Sequence, residues 1–344
     1  MRFRQLDKIT KLKPGADITA QRTLSDREDY FRDHFPEFPV MPGVLTLEAM
    51  FQACNWLVRK TDEFANSAVL LREALNIKFA GFVRPGQTLT VSAAIKKHAA
   101  SLTTLSAKAD VGGATVAGGR LVLERFNLAE RYPRRAASDA YLRKKMRAEL
   151  ELLQAQSPAN VPVAPSHYRW MWIDRFTEFV GGRRAVAVKT VSMADEPIDL
   201  YMPGFPVMPC SLIVEGFAQT GGILAGACHE FEKRIVLAKV SKAVFHRPAV
   251  PGDTVVYTAE IASLQPEGAV VRGTSRIGDE AHAEVELFFA YLDDRVVDAE
   301  LIGPADLLST LRLFGLYDVA RKEDGSPLEI PRHMLDAERA AIEG

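Results

Sequence analysis

"HFPEFPVMPGVLTLEAMFQ" occupies residues 34–52, and "YMPGFPVMPCSLIVEGFAQ" occupies residues 201–219. The second stretch repeats the first at an offset of 167 positions, with Tyr201 where the first has His34. The same offset carries Asp7 onto Asp174, Gly15 onto Gly182, Pro42 onto Pro209, Glu48 onto Glu215 and Gln52 onto Gln219. A single-residue gap then brings Phe79 onto Phe245 and "PGQTL" at 85–89 onto "PGDTV" at 251–255. A period this long is not that of a solenoid. It marks a duplicated domain of about 130 residues, a normal domain size, so the fold of one unit decides the fold of the chain.

Each unit has the same coarse pattern. Short alternating segments open it, "ADITAQRTL" in the first and "RAVAVKTVSM" in the second, and alternation predicts strands. The proline-rich turn follows, and then an apolar stretch from Val44 to Val58, or from Ser211 to Ala227. Because that stretch is apolar on most sides, it is expected to be a buried helix. Further alternating runs follow, punctuated by Pro-Gly turns at 85 and 251. The sum is an α+β arrangement, one long central helix wrapped by an antiparallel sheet. The boundaries expected are 1–128 and 166–298 for the two units, with a linker at 129–165 and a tail at 299–344. Within the linker, Leu142, Met146, Leu150 and Leu153 recur at helical spacing, which predicts a surface helix over 138–156 that docks one stripe. The tail is expected to hold a helix near Ala305 to Leu313, and its residues show no chemical motif that would give it a role.

Composition bounds the function. The chain has 344 residues, 47% of them hydrophobic, and a net charge of -1, which suits two globular domains and gives no signature of nucleic-acid binding. Cys54, Cys210 and Cys228 form neither an even framework nor a CxxC pair, so a reducing cytoplasm is expected and a structural zinc site is not. No apolar h-region opens the sequence, and no apolar run approaches the roughly 20 residues of a membrane span.

The repeated motif gathers groups suited to acid–base chemistry. His34 is of the side-chain type that shuttles protons near neutral pH. Gly43 opens the buried helix, where first-turn N–H groups lack internal partners and a ligand oxygen can approach closely. Glu48 lies more than a turn inside, where burial raises a carboxyl pKa. A structural role for each residue competes with this reading. The spacing of histidine, Pro-Gly, glutamate and glutamine favours a site.

That combination resembles the β-hydroxyacyl-acyl carrier protein dehydratases of the FabZ and FabA type. Their pattern HFxxxPxMPGxLxxEAMxQ is matched by His34, Phe35, Pro39, Met41, Pro42, Gly43, Leu45, Glu48, Ala49, Met50 and Gln52. "HYRWMWIDRF" from His167 and "KAVFHRPAVPGD" from Lys242 are similar to further segments of that family. The resemblance implies two tandem hot-dog domains packed as a pseudo-dimer. It also implies dehydration of a (3R)-3-hydroxyacyl thioester on an acyl carrier protein, without cofactor or metal. It makes His34 the base and Gly43 the carbonyl donor, and across the pair it sets Glu215 as the acid, with Gln219 four residues on to orient it. The reciprocal site would hold Tyr201, Glu48 and Cys210. A phenol with pKa about 10 cannot serve as base at pH 7, so one working site per chain is expected. The paired helices are expected to bound an acyl tunnel lined by Phe205, Leu212 and Phe217. Acyl-thioester hydrolysis and non-catalytic acyl binding are the rival readings on the same fold. Trimer, dimer and monomer all fit the sequence.

Overall fold

A computed structural model of the chain describes residues 3–32, 34–133, 136, 138–155, 170–202, 204–292 and 300–343. Pro158 and His167 lie outside the described residues. The first unit runs β1 (Lys8–Lys13), β2 (Asp17–Thr23), α1 (Gly43–Thr61), β3 (Ala68–Phe79), β4 (Thr88–His98), β5 (Leu102–Val111) and β6 (Ala114–Phe126). Then come α2 (Leu128–Arg131) and α3 (Ser138–Ala155). The second unit repeats the plan with β7 (Arg175–Val180), β8 (Arg184–Thr190), α4 (Glu196–Tyr201), α5 (Cys210–Ala227), β9 (Arg234–Phe245), β10 (Thr254–Gln265), β11 (Gly268–Ile277) and β12 (Glu280–Leu292). The tail adds α6 (Pro304–Leu313), α7 (Leu316–Val319), the short β13 (Ala320–Arg321) and α8 (Arg332–Glu343).

The strands order as β1-β2-β4-β5-β6-β3-β9-β12-β11-β10-β8-β7-β13. Read outward from the centre, the two halves carry corresponding strands in the same sequence. The seam is antiparallel, with Glu73 opposite Val244 and Lys78 opposite Lys239. Two hot-dog units therefore share one continuous sheet, and one hydrophobic core cluster runs through both.

Each central helix starts where proline sets the backbone for it. The N–H groups of Leu45 and Thr46 donate to the Pro42 carbonyl, and those of Leu212 and Ile213 donate to that of Pro209. Helix α1 is buried on nearly every side, as is expected of a rod enclosed by a curved sheet. Period-two burial along β10 puts Val255, Tyr257 and Ala259 inside. Glycines in α5 answer close packing rather than helix propensity: a Cβ at Gly216 would stand 2.5 Å from the Tyr257 ring. Helix α3 buries Leu142, Met146, Leu150 and Leu153. No described helix is long and apolar enough to cross a membrane.

The seam strand β3 bulges between Leu75 and Lys78, with Asn76 at φ 52°. Gly119 on β6 lets the bulge fit, because a Cβ there would stand 2.8 Å from the Asn76 carbonyl oxygen and 2.9 Å from the Ile77 Cα. Both of those are backbone atoms, which cannot yield without moving the strand. Gly119→Ala is expected to lower unfolding free energy by roughly 2 kcal/mol or more, measured by urea denaturation.

Candidate active site

The turn before α1 is held rigidly. The His34 N–H donates to the Tyr30 carbonyl, the Phe38 N–H to the Phe35 carbonyl, and the Met41 N–H to the Val83 carbonyl. Phe35 adopts a left-handed φ of 52°, a strained conformation for a bulky residue that its surroundings must impose. Its ring lies 4.2 Å from that of His34, centroid to centroid. The result is an imidazole aimed into a cavity of about 1000 Å³, shared with Gly43, Trp170, Glu215 and Gln219. The structure thus brings together the three residues singled out as catalytic and the supporting glutamine, drawn from both halves.

The cavity's chemistry follows from how its groups are held. Glu215 lies one turn and more inside α5 and is 7% exposed. Its Oε1 accepts hydrogen bonds from Trp170 Nε1 at 2.9 Å and Gln219 Nε2 at 3.0 Å. Burial pushes its carboxyl up to about 7, and the two donors hold it back from rising further. Burial pushes His34 down to about 4, partly offset by the Val40 backbone; its Nδ1 is buried without a partner. The usual order of a carboxyl and an imidazole is therefore reversed. Between about pH 4 and about pH 7 the ring is free to take a proton while the carboxyl holds one to give. Gly43 is the first residue of α1, so its N–H has no intrahelical partner. A Cβ at Gly43 would press on the Phe79 ring at 3.3 Å.

Trp170 is the residue that the sequence reading missed. Its indole donates to Glu215, and its ring lies edge-on to His34 with centroids 6.4 Å apart. It therefore spans the base and the acid. A signal existed: at the repeat offset Trp170 matches Phe3, which has no donor.

The second constellation, Tyr201, Glu48 and Cys210, also comes together. The pseudo-symmetry is close. Gln52 donates to Glu48 Oε1 at 2.9 Å and to the Phe3 carbonyl at 2.9 Å, and accepts from the Gln5 N–H at 2.8 Å. Gln219 makes the matching bonds to Glu215, to the Trp170 carbonyl at 3.2 Å and from the Trp172 N–H at 2.9 Å. The difference is at the other carboxylate oxygen. Ser211 Oγ donates to Glu48 Oε2 at 2.7 Å, while Val44, its counterpart at the offset, has no hydroxyl. Among the described residues, Glu215 Oε2 accepts no hydrogen bond. Tyr201 also donates to Glu48, and burial together with that carboxylate pushes its phenol well above the usual range. Burial raises the Cys210 thiol as well. Beside Tyr201 lies a void of about 20 Å³.

The tunnel residues expected from sequence are corrected by the structure. Phe205, Leu212 and Phe217 do not line the cavity. Phe205 packs on Tyr132 at 5.0 Å, Leu212 is enclosed in the core, and Phe217 meets Tyr257 edge-on at 4.9 Å. Large apolar side chains fill space, and the cavity lies where side chains are small: Ala218, Gly222 and Gly226 along α5. The tail, whose role the sequence left open, also lines the cavity. Arg247 is engaged by Glu280 and Asp253, His246 by Glu284, and His229 packs on Tyr291. No group of three or more potential metal ligands is present among the described residues.

A family model described as a FabA-like domain matches residues 1–120 and 164–281. The chain belongs to the FabA-like family. Among curated relatives, the 3-hydroxyacyl-acyl-carrier-protein dehydratase FabZ of Symbiobacterium thermophilum is 36% identical over 132 residues, 38% of this chain and 93% of that protein. The FabZ of Pelotomaculum thermopropionicum is 36% identical over 129 residues, 37% of this chain and 92% of that protein. One FabZ thus corresponds to one half of this FabA-like chain. Among solved structures, a protein assigned as an oleoyl thioesterase from Lactobacillus plantarum superposes with TM-score 0.53 at 11% identity, covering 81% of this chain and 98% of its own. A MaoC-like dehydratase does so with TM-score 0.51 at 14% identity, covering 81% and 98%. These two share the double hot-dog fold, which alone does not choose between hydrolysis and dehydration.

Glu48, with its pKa raised to about 7 from an ordinary 4.5, binds its proton more tightly folded than unfolded. Stability contributed by that proton is complete below about pH 4.5 and is lost as pH rises through 7, by roughly 3 kcal/mol. In Glu48→Gln the melting temperature is expected to fall less between pH 5 and pH 8 than in the wild type, measured by calorimetry at both values.

Proposed function

We propose that this protein is a (3R)-3-hydroxyacyl-acyl-carrier-protein dehydratase with one active site per chain. The observation that carries this reading is the pairing, around one cavity, of His34 with a buried Glu215 whose Oε1 is fixed by Trp170 and Gln219 and whose Oε2 accepts no hydrogen bond among the described residues, beside Gly43. The acyl group enters on the phosphopantetheine arm of a carrier protein, and the work is cytoplasmic, as three free cysteines suit.

The thioester carbonyl accepts from the Gly43 N–H, which stabilises charge developing on that oxygen. His34 takes the C2 proton. The electron pair of the broken C2–H bond forms the C2–C3 double bond as the C3–O bond breaks. Glu215 gives its proton to the departing hydroxyl, which leaves as water. The pair ends as imidazolium and carboxylate, and transfer of one proton between them, direct or through water, restores it. Gln219 and Trp170 fix the carboxyl through Oε1 and leave Oε2 for the hydroxyl. Thioester hydrolysis would instead need a water activated against the carbonyl carbon, with the acid's proton going to the departing thiolate sulfur rather than to a C3 hydroxyl.

With a 3-hydroxybutyryl thioester, His34→Ala and Glu215→Gln are each expected to lower kcat by at least about 100-fold, followed by enoyl absorbance. Glu48→Gln is expected to keep most activity. Release of free thiol without enoyl formation, or a dead Glu48→Gln beside an active Glu215→Gln, would overturn this reading.

The pH profile of kcat/KM is expected to fall on the acid side near 4, as His34 gains a proton, and on the alkaline side near 7, as Glu215 loses one. Because the Trp170 N–H stabilises the carboxylate form, Trp170→Phe should move the alkaline limb upward and leave the acid limb in place. An unmoved alkaline limb in that variant would show that another group sets it.

A further inference from the structure

The tail lies outside both segments matched to the family, yet it reaches across both halves of the molecule. Leu301 is 3% exposed and packs with Phe38 and Val40 of the turn that carries His34. Further along, the Phe314 carbonyl accepts from the Phe176 N–H at 2.9 Å, and β13 pairs with β7 through Ala320 opposite Phe179. Between these two anchorages α6 crosses the cavity. Leu307, Phe314 and Met334 present an apolar wall to it, with Phe314 and Met334 almost fully buried.

The opposite wall is the small-residue face of α5, and its twin in the other half shows what that face does. At the repeat offset, Ala218, Gly222 and Gly226 correspond to Phe51, Asn55 and Arg59. Those three larger residues line the void of about 20 Å³, which Met146 of α3 helps to close. The working half keeps about 1000 Å³ open, the upper end of the range for small-molecule sites. Small side chains of α5 and the apolar Leu307, Phe314 and Met334 of the tail, beside the polar Asp306, Ser309 and Thr310, line a space that a hydrocarbon chain can occupy.

We propose that the C-terminal tail, through Leu307 with Phe314 and Met334, forms the wall that sets which acyl chain lengths this site accepts. The inference rests on the dehydratase reading for its substrate. The cavity then favours long acyl chains over short ones, because methylenes beyond the reacting carbons bury apolar surface against α5 and the tail.

The test uses the full chain and 3-hydroxyacyl thioesters of N-acetylcysteamine, from butyryl to decanoyl length. In the wild type kcat/KM is expected to rise by about tenfold or more from the shortest to the longest. Leu307→Trp should erase that rise, lowering the ratio of decanoyl to butyryl kcat/KM by about tenfold or more. Leu307→Ala should shift the preference towards longer chains; it serves if the tryptophan variant melts early. Equal length profiles in the wild type and in well-folded variants would overturn the proposal. Calorimetric binding of non-reactive acyl thioethers of the same lengths separates it from the activity. A wild type that turns over nothing, yet binds long thioethers in a manner lost in Leu307→Trp, would sink the dehydratase reading and keep the wall. Turnover without any length dependence would do the reverse.

Discussion

The antiparallel pairing of β3 with β9 is the constraint on which the rest depends. It joins two sheets into one and lays α1 against α5. A pseudo-twofold contact of this kind presents the same patch from both sides. The turn before each helix therefore faces the carboxylate of the other half, never its own. The cavity's lining residues come from both units, so a substitution at His34 and one at Glu215 act on the same site. That geometry explains how a duplicated chain can lose a histidine and still keep a complete set of groups.

Within that frame, burial does most of the chemistry. Two glutamates sit inside apolar helices, and both are pushed up to about 7 by desolvation. Each would be intolerable as an unpartnered charge. In both halves a glutamine four residues on meets the need, tying one carboxylate oxygen to the backbone of the segment that enters the domain. What separates Glu215 from Glu48 is the second oxygen. Ser211 and Tyr201 occupy it, or share the carboxylate, on Glu48. On Glu215 the corresponding space belongs to the cavity. A proton donor needs one oxygen fixed for geometry and one free for the substrate, and only Glu215 meets both conditions.

Much of this was legible in the residues. The repeat offset located both helices, both carboxylates and the exchange of His34 for Tyr201, because motif spacing survives as sequence. The choice of tunnel residues failed for a physical reason: α5 is buried on most sides, so apolarity cannot tell a side chain that fills the core from one that borders a cavity. Phe217 is as hydrophobic as a tunnel lining should be, and it packs on Tyr257 instead. Trp170 was hidden because its donor acts across 45 positions of chain, and the tail because its contacts with the His34 turn depend on tertiary packing. Position-by-position comparison of the halves, rather than of motifs, exposes Trp170 against Phe3, Ser211 against Val44 and Gly222 against Asn55.

Those substitutions also explain why the silent half is not simply a damaged one. An empty cavity destabilises its surroundings because the lining atoms lose contacts. In the first half the helix fills the space with Phe51, Asn55 and Arg59, and Tyr201 packs on Phe3 and Phe51. Arg59 is a buried cation there, but Asn55 Oδ1 and the Ser67 carbonyl accept from it at 2.6 and 3.1 Å, so the charge does not go unsatisfied. The phenol that cannot act as a base is a good filler and a good donor to Glu48. A histidine in the same place would bring a second titrating group beside a buried carboxyl, without the apolar bulk. Tyr201 therefore serves packing in a half whose helix carries Phe51, Asn55 and Arg59, where the other half carries Ala218, Gly222 and Gly226 and keeps its cavity open.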